Sequence, residues 1–274
     1  SSKYTDTTYQ LKAADSELTS GTDTISLKVE DDTFVEIDES VNTLLQYVTG
    51  DTTSSDYVTL NGAEDDVVAL VHTITDSDKT EISLTLVSDS NISAEGDVSV
   101  ATYALSWDQE LGKGVSSLSV NLPFLGSATQ GIDYSIDVEA DSIGKLSIDG
   151  DVFTIVKDED AVLDAGSVEF TITVLNDSVV EITETISAQM ALVGSSSNVA
   201  TLGIEQSLAY AITDSDKVNL TLTRTEGADS ASESTAVTNR YTLSWDQTLG
   251  EGVPSLIFSV PFSGTATRSL DFSV

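Results

Sequence analysis

The chain has 274 residues, 39% of them hydrophobic, which is enough to build cores for two domains of ordinary size. Its 46 Asp and Glu against 11 Lys and Arg leave a formal net charge of −35, a surface that repels nucleic-acid phosphates and anionic lipid heads and attracts cations. Cys is absent, so disulfide frameworks and thiolate chemistry are excluded, and no apolar run approaches the roughly 18 residues of a membrane span.

In chain order, Ile25, Leu27 and Val29 alternate with polar residues and predict a half-buried strand. It leads into "VEDDTFVEIDESV" (Val29–Val41), rich in carboxylates. A longer loop is expected within Gln46–Val67, followed by the apolar strand "VVALVHTI", which carries the chain's one histidine, His72. That residue has no nucleophile or metal-site companion and reads as a packed or edge-facing histidine. Next comes "ITDSDK" (Ile74–Lys79), then "YALSWDQELGKGV" (Tyr103–Val115), whose Trp107 reads as a packing aromatic. Leu118, Val120, Leu122 and Phe124 alternate with Ser119, Asn121 and Pro123; because proline cannot donate to a ladder, this strand lies at an edge or ends there. Val168, Phe170, Ile172 and Val174 alternate in the same way and lead into "VLNDSVVEITETI" (Val174–Ile186).

The rest of the chain repeats what came before. "ITDSDK" returns letter for letter at Ile212–Lys217, 138 positions after its first occurrence. "YTLSWDQTLGEGV" (Tyr241–Val253, with Trp245) and "PFSGTATRSLDFSV" (Pro261–Val274) return at the same offset from Tyr103 and from "PFLGSATQGIDYSI" (Pro123–Ile136). The acidic blocks at Val29 and Val174 are 145 apart. Leu256, Phe258, Val260 and Phe262 repeat the alternation of Leu118–Phe124. Blocks recurring in fixed order define a tandem array, and short period-2 strands with Gly, Asp and Ser turns predict an all-β fold of antiparallel sandwiches. Residues 1–79 match the second half of a unit, 80–216 a complete unit, and 217–274 the first half of a further one.

"SGTATRSLDFSV", the stretch from "FTIVKDEDAV" to "VVEITETI", and the closing "AYAITDSDK" together resemble a Calx-β domain. The resemblance rests on four marks in order: a Gly-Thr-Ala edge strand, an Asp-aromatic pair, an acidic loop with two Glu beyond it, and a terminal Ile-x-Asp-x-Asp. It implies a tandem array of immunoglobulin-like, seven-stranded β-sandwiches that bind Ca²⁺ at one end, where loops supply the oxygen ligands. In the complete unit it assigns Glu95, Asp133, Asp177, Glu181, Glu184, Asp214 and Asp216 to the metal. In the N-terminal copy the matching residues are Asp31, Asp32, Glu36, Glu39, Asp76 and Asp78, and in the C-terminal copy Glu233 and Asp271. The acidic loop reads Asn176-Asp177-Ser178 and serine separates the terminal Asp pair, so one or two ions per site are expected. Six or seven converging carboxylates without a cation would repel one another strongly.

These readings lead to a structural segment of a long, calcium-stiffened extracellular or cell-surface protein: a filament, stalk or adhesin. The alternative is a calcium-sensing regulatory module of the sodium–calcium exchanger type. Carboxylate pairs for glycoside hydrolysis are not excluded by counting, but carboxylates repeated in every unit suit structural metal sites better than one catalytic cleft, and no enzyme is expected. The partners expected are head-to-tail copies of the chain, or continuation of the same array, completing the half-units at each end. Neither nucleic acid nor membrane insertion is expected of this segment.

Overall fold

A computed structural model describes residues 21–22, 24–46, 68–88, 90–96, 100–157, 161–235, 237–250 and 252–274. Apart from Gln46, the loop expected within Gln46–Val67 lies outside the described residues. The chain is nearly all β. A first hairpin consists of β1 (Glu39–Leu45) and β2 (Val68–Ile74). The strands β3 (Thr80–Leu86), β4 (Ile92–Ala94), β5 (Val100–Trp107), β6 (Ser117–Asn121), β7 (Phe124–Gly126), β8 (Tyr134–Val138), β9 (Leu146–Asp149) and β10 (Val152–Val156) follow. Then come β11 (Gly166–Val174), β12 (Val179–Val180), β13 (Glu184–Gln189), β14 (Ala191–Leu192), β15 (Ala200–Leu202) and β16 (Ser207–Thr213). The C-terminal part adds β17 (Leu220–Glu226), β18 (Arg240–Trp245) and β19 (Thr248–Leu249). Among the described residues helix is limited to a 3₁₀ turn at Ala140–Ser142 and one α turn at Ser196–Val199. Among the described residues no helix is long and apolar enough to cross a membrane, which says nothing of a β-barrel.

The three larger sheets draw all their strands from Thr80–Thr213 and form a sandwich. One layer has the order β15-β3-β5-β11-β8. The other comprises β4-β16-β13-β7 and β14-β6-β10-β9. These two sheets are continuous in chain, because β7 resumes β6 beyond Leu122-Pro123 and β14 resumes β13 beyond Met190. The seven strands implied by the resemblance are therefore split into more segments, and Pro123 makes one of the breaks, since it has no N–H for the ladder.

Alternation carries the core. In β13 and β3 every second side chain is buried, as period-2 geometry requires of a strand with one wet face. Phe153 of one layer meets Phe170 of the other at a ring-centroid distance of 4.8 Å, and Phe170 stacks on Tyr103. Gly126 has φ +138°, and a Cβ there would overlap the Thr185 carbonyl oxygen, so only glycine lets β7 close on β13. We expect Gly126→Ala to cost about 3 kcal/mol or more through backbone strain and overpacking. A denaturant titration reads this as a lower unfolding midpoint; an unchanged midpoint would contradict the close approach.

Two hairpins outside the sandwich share its strand registers. The β1–β2 pairing starts at Glu39↔Ile74 and the β13–β16 pairing at Glu184↔Ile212, the same register once the two repeat offsets are applied. Likewise β17–β18 starts at Leu220↔Trp245 and β3–β5 at Ile82↔Trp107. Two expected strands are absent, however. Ile25, Leu27 and Val29 are exposed and lie outside any strand, and so do Leu256, Phe258, Val260 and Phe262. In the complete unit the first segment's equivalent is β11, paired with β5 and β8, and the second's is β6, paired with β10. Among the described residues these two alternating segments have no counterpart of those partner strands to pair with. Trp245 is 64% exposed for the same reason, whereas Trp107 is 5% exposed and donates its indole N–H to the Asp164 carbonyl. His72 lies exposed on β2.

Candidate metal centre

Strand register alone brings the predicted ligands of the complete unit to one end. β13 starts at Glu184, opposite Ile212, so β16 runs out beside it into Asp214-Ser215-Asp216. β4 lies parallel to β16 with Ala94 opposite Thr213, which sets Glu95 next to the same turn; the Glu95 N–H donates to the Thr213 carbonyl at 2.9 Å. β8 begins opposite the end of β11, Tyr134 against Val174, so Asp133 faces the acidic loop. With Asp177 beyond β11 and Glu181 just after β12, six strand ends deliver seven carboxylates.

Six of them converge in two groups of three. Carboxylate oxygens of Glu95, Asp214 and Asp216 lie within 4.8 Å of one another, and so do those of Asp133, Glu181 and Glu184. Backbone N–H groups hold several side chains in place. Asp214 accepts from Asp216 N–H at 2.7 Å and from Glu181 N–H at 2.9 Å. Asp177 accepts from Val179 N–H at 2.7 Å, and Asp133 from Thr129 N–H at 2.5 Å.

Two members are in a strained electrostatic position. Glu95 is 5% exposed and Glu184 7%, and each has its Oε2 buried without a hydrogen-bond partner. Burial pushes the Glu95 carboxyl up to about 7, helped by Asp177, Asp214, Glu181 and Asp133. Burial likewise pushes Glu184 up to about 7, aided by Asp133, Glu181 and Glu95. All of these influences oppose ionisation. Buried, partnerless carboxylate oxygens surrounded by like charge are what a cation offsets. An all-oxygen, carboxylate-rich donor set suits a hard ion with a large coordination number, and the residues present fit Ca²⁺.

The N-terminal copy is assembled less completely. Glu36 N–H donates to Asp76 at 2.7 Å, matching Glu181 on Asp214. Burial raises the Glu36 carboxyl, and Glu39, Asp32 and Asp76 raise it further against a lowering backbone hydrogen bond from Lys113, while loss of water and then the charges of Asp76, Asp31 and Asp32 raise Asp78. These six residues therefore share one neighbourhood, but among the described residues no three of them bring ligand atoms within 4.8 Å. Among the described residues this copy has no counterpart of Glu95 or Asp133, which tighten the complete centre. In the C-terminal copy Glu233 is exposed in the β17–β18 connection, and Asp271 accepts from Thr267 N–H at 2.7 Å. Neither meets another predicted ligand, because the acidic loop and terminal Asp pair of that copy have no counterpart among residues 217–274.

The longest near-identical run between copies lies in a segment that packs beside this centre. Val35 bridges to Leu111 in parallel, and β12 pairs in parallel with β19, Val180 opposite Leu249. These two junctions are equivalent positions of the repeat. Val35 and Leu111 are both 0% exposed, an apolar plug between units. Gly112 and Gly250 lie where a Cβ would collide with Glu36 and Glu181 respectively. Asp108 accepts from Glu81 N–H at 2.6 Å and Asp246 from Asn219 N–H at 2.8 Å, so each "WDQ" also pins the strand that follows "ITDSDK". The signal was visible as ten of thirteen identical letters in "YALSWDQELGKGV" and "YTLSWDQTLGEGV", although carboxylate counting passes over glycine and glutamine.

No family model matches the sequence, and no curated protein matches it. Among solved structures the chain is similar to the crystal structure of CBD12 from CALX1.2, at 13% identity and a TM-score of 0.28, covering 61% of this chain and 74% of that one. The overlap is loose, and the functional reading rests on the carboxylates themselves.

Proposed function

We propose that the chain is a non-catalytic segment of a long extracellular repeat protein, a filament, stalk or adhesin whose sandwiches and joints are stiffened by Ca²⁺. One observation carries the calcium reading: the partnerless, buried Oε2 atoms of Glu95 and Glu184 inside two converging carboxylate groups. Glu95, Asp214 and Asp216 would hold one ion and Asp133, Glu181 and Glu184 a second, with Asp177 beside them. The stiffening role is supported by position, since Glu181 directly follows the strand β12 that pairs with the next unit. The structural, head-to-tail reading is supported by the exposed apolar residues of the two hairpins. Leu220, Leu222 and Tyr241 are exposed, whereas their equivalents Ile82, Leu84 and Tyr103 are buried core. A further unit of the same kind, contributing the equivalent of residues 1–79, would cover them.

Extracellular Ca²⁺ modules have dissociation constants of roughly 10⁻⁴–10⁻³ M. At free calcium about 10 to 100 times that value, binding adds roughly 1.4–2.7 kcal/mol per ion. Differential scanning calorimetry of the chain in calcium, in magnesium and in chelator should therefore show a rise of several degrees specific to calcium. Identical melting in all three would remove the calcium reading.

A further inference from the structure

We infer that the unit following the complete sandwich donates a ligand to its metal centre: the side-chain amide oxygen of Gln247, so that the ion is held from both sides of the joint. This deepens the calcium reading and rests on it. Gln247 immediately precedes β19, whose pairing with β12 carries it over the terminal Asp pair. Its Nε2 donates to Asp216 Oδ1 at 3.4 Å. With that bond made, two oxygens at the same contact, Gln247 Oε1 and Asp216 Oδ2, are left buried with no partner. Asp216 is itself one of the group with Glu95 and Asp214, and Glu95 adds a third buried, partnerless oxygen, Oε2. Three orphaned oxygens from two successive units at one centre are unusual, because buried acceptors in folded proteins almost always find a partner.

The residue type suits the task. A calcium ion needs six to eight oxygens, and amide carbonyls are ordinary members of such shells. In a centre already crowded with carboxylates, a further acid would add repulsion, whereas an amide adds a ligand without charge. Gly250, three residues on, has no side chain and so leaves room for Glu181 under the same segment. Gln109 occupies the equivalent place just before the Val35–Leu111 bridge, so the first joint offers the same amide. The centre is then complete only where two units are docked, and calcium selects the docked joint over the open one.

Calorimetric calcium titration of the full chain tests this with Gln247→Leu and Gln247→Glu. Losing a ligand should weaken one class of site roughly tenfold or more in Gln247→Leu. Gln247→Glu keeps an oxygen in place but lacks the N–H donor, so it should bind at least as tightly as the parent. Unchanged affinity in Gln247→Leu overturns the inference while leaving calcium binding intact. Equal weakening in both variants also overturns it, because then only the Nε2 hydrogen bond to Asp216 matters. A parent chain that takes up no calcium removes the calcium reading and this inference together.

Discussion

With calcium chelated, the melting temperature of the chain should rise as the pH is lowered from about 7.5 to 5. Glu95 and Glu184 have carboxyls raised from 4.5 to about 7 in the folded state, mainly by burial and then by neighbouring carboxylates. Between those two values the folded chain binds more protons than the unfolded one, so stability falls as pH rises through 7 and is regained as pH drops toward 4.5. A carboxyl displaced from 4.5 to about 7 corresponds to about 3 kcal/mol, and the two groups interact, so their contributions overlap. Asp246, whose carboxyl is held low by the Asn219 side chain and N–H, opposes the trend only below the ordinary Asp range. General relief of negative charge on acidification would act in the same direction, and the double variant Glu95→Gln/Glu184→Gln separates the two. It should melt higher than the parent in chelator at pH 7.5 and show a shallower slope. In saturating calcium the parent's trend should reverse, since protons then compete with the ion for the same oxygens. A parent curve in chelator that is flat between pH 7.5 and 5, or identical to that of the double variant, would contradict the electrostatic strain assigned to this centre.

The second large effect is mechanical. Asp214→Asn together with Asp216→Asn should loosen the joint between the complete unit and residues 217–274 while leaving the sandwich folded. Asparagine keeps one side-chain oxygen, which can still accept the Asp216 N–H that closes the local turn, but it gives up the bond from Glu181 N–H, which Asp214 takes on its other oxygen. What then remains across the joint includes the short β12–β19 pairing, the Gly250 N–H bond to the Val180 carbonyl and an uncharged version of the Gln247 contact with residue 216. Small-angle scattering in calcium should show a shorter and more variable particle than the parent, and chelator should bring the parent to the same profile. A variant as extended as the parent in calcium would show that those two carboxylates do not rigidify the joint.

Much of the fold could be read from the sequence, because period-2 alternation and a fixed offset are local signals. The register of β1–β2 follows from that of β13–β16 by the offsets alone, and Pro123 marks the break between β6 and β7. The centre was legible for a related reason: Glu95, Asp133, Asp177, Glu184 and Asp214 all sit one to three residues beyond a strand end or at its first residue, so placing the strands gathers the acids. What alternation could not reveal is whether a partner strand is present. Val29 and Phe258 carry the same pattern as Val174 and Val120 but lie outside any sheet, because strand formation depends on residues far away in the chain. Nor could carboxylate spacing distinguish Glu233 from Glu95. Glu95 is drawn into the centre by β4 pairing with β16, a contact across more than a hundred residues, and Glu233 has no such neighbour. The joint was hidden for a chemical reason, since glycine and glutamine carry no charge to suggest a metal, and Gly112, Gly250 and Gln247 act by what they leave open or uncharged.

Anomalous diffraction from crystals of the chain grown in excess calcium tests the calcium centre most directly. Two anomalous peaks are expected, one among Glu95, Asp214 and Asp216 and one among Asp133, Glu181 and Glu184, each with carboxylate oxygens at roughly 2.3–2.6 Å. A well-ordered sandwich with no anomalous density at either group would contradict calcium as the ion that holds this end of the fold.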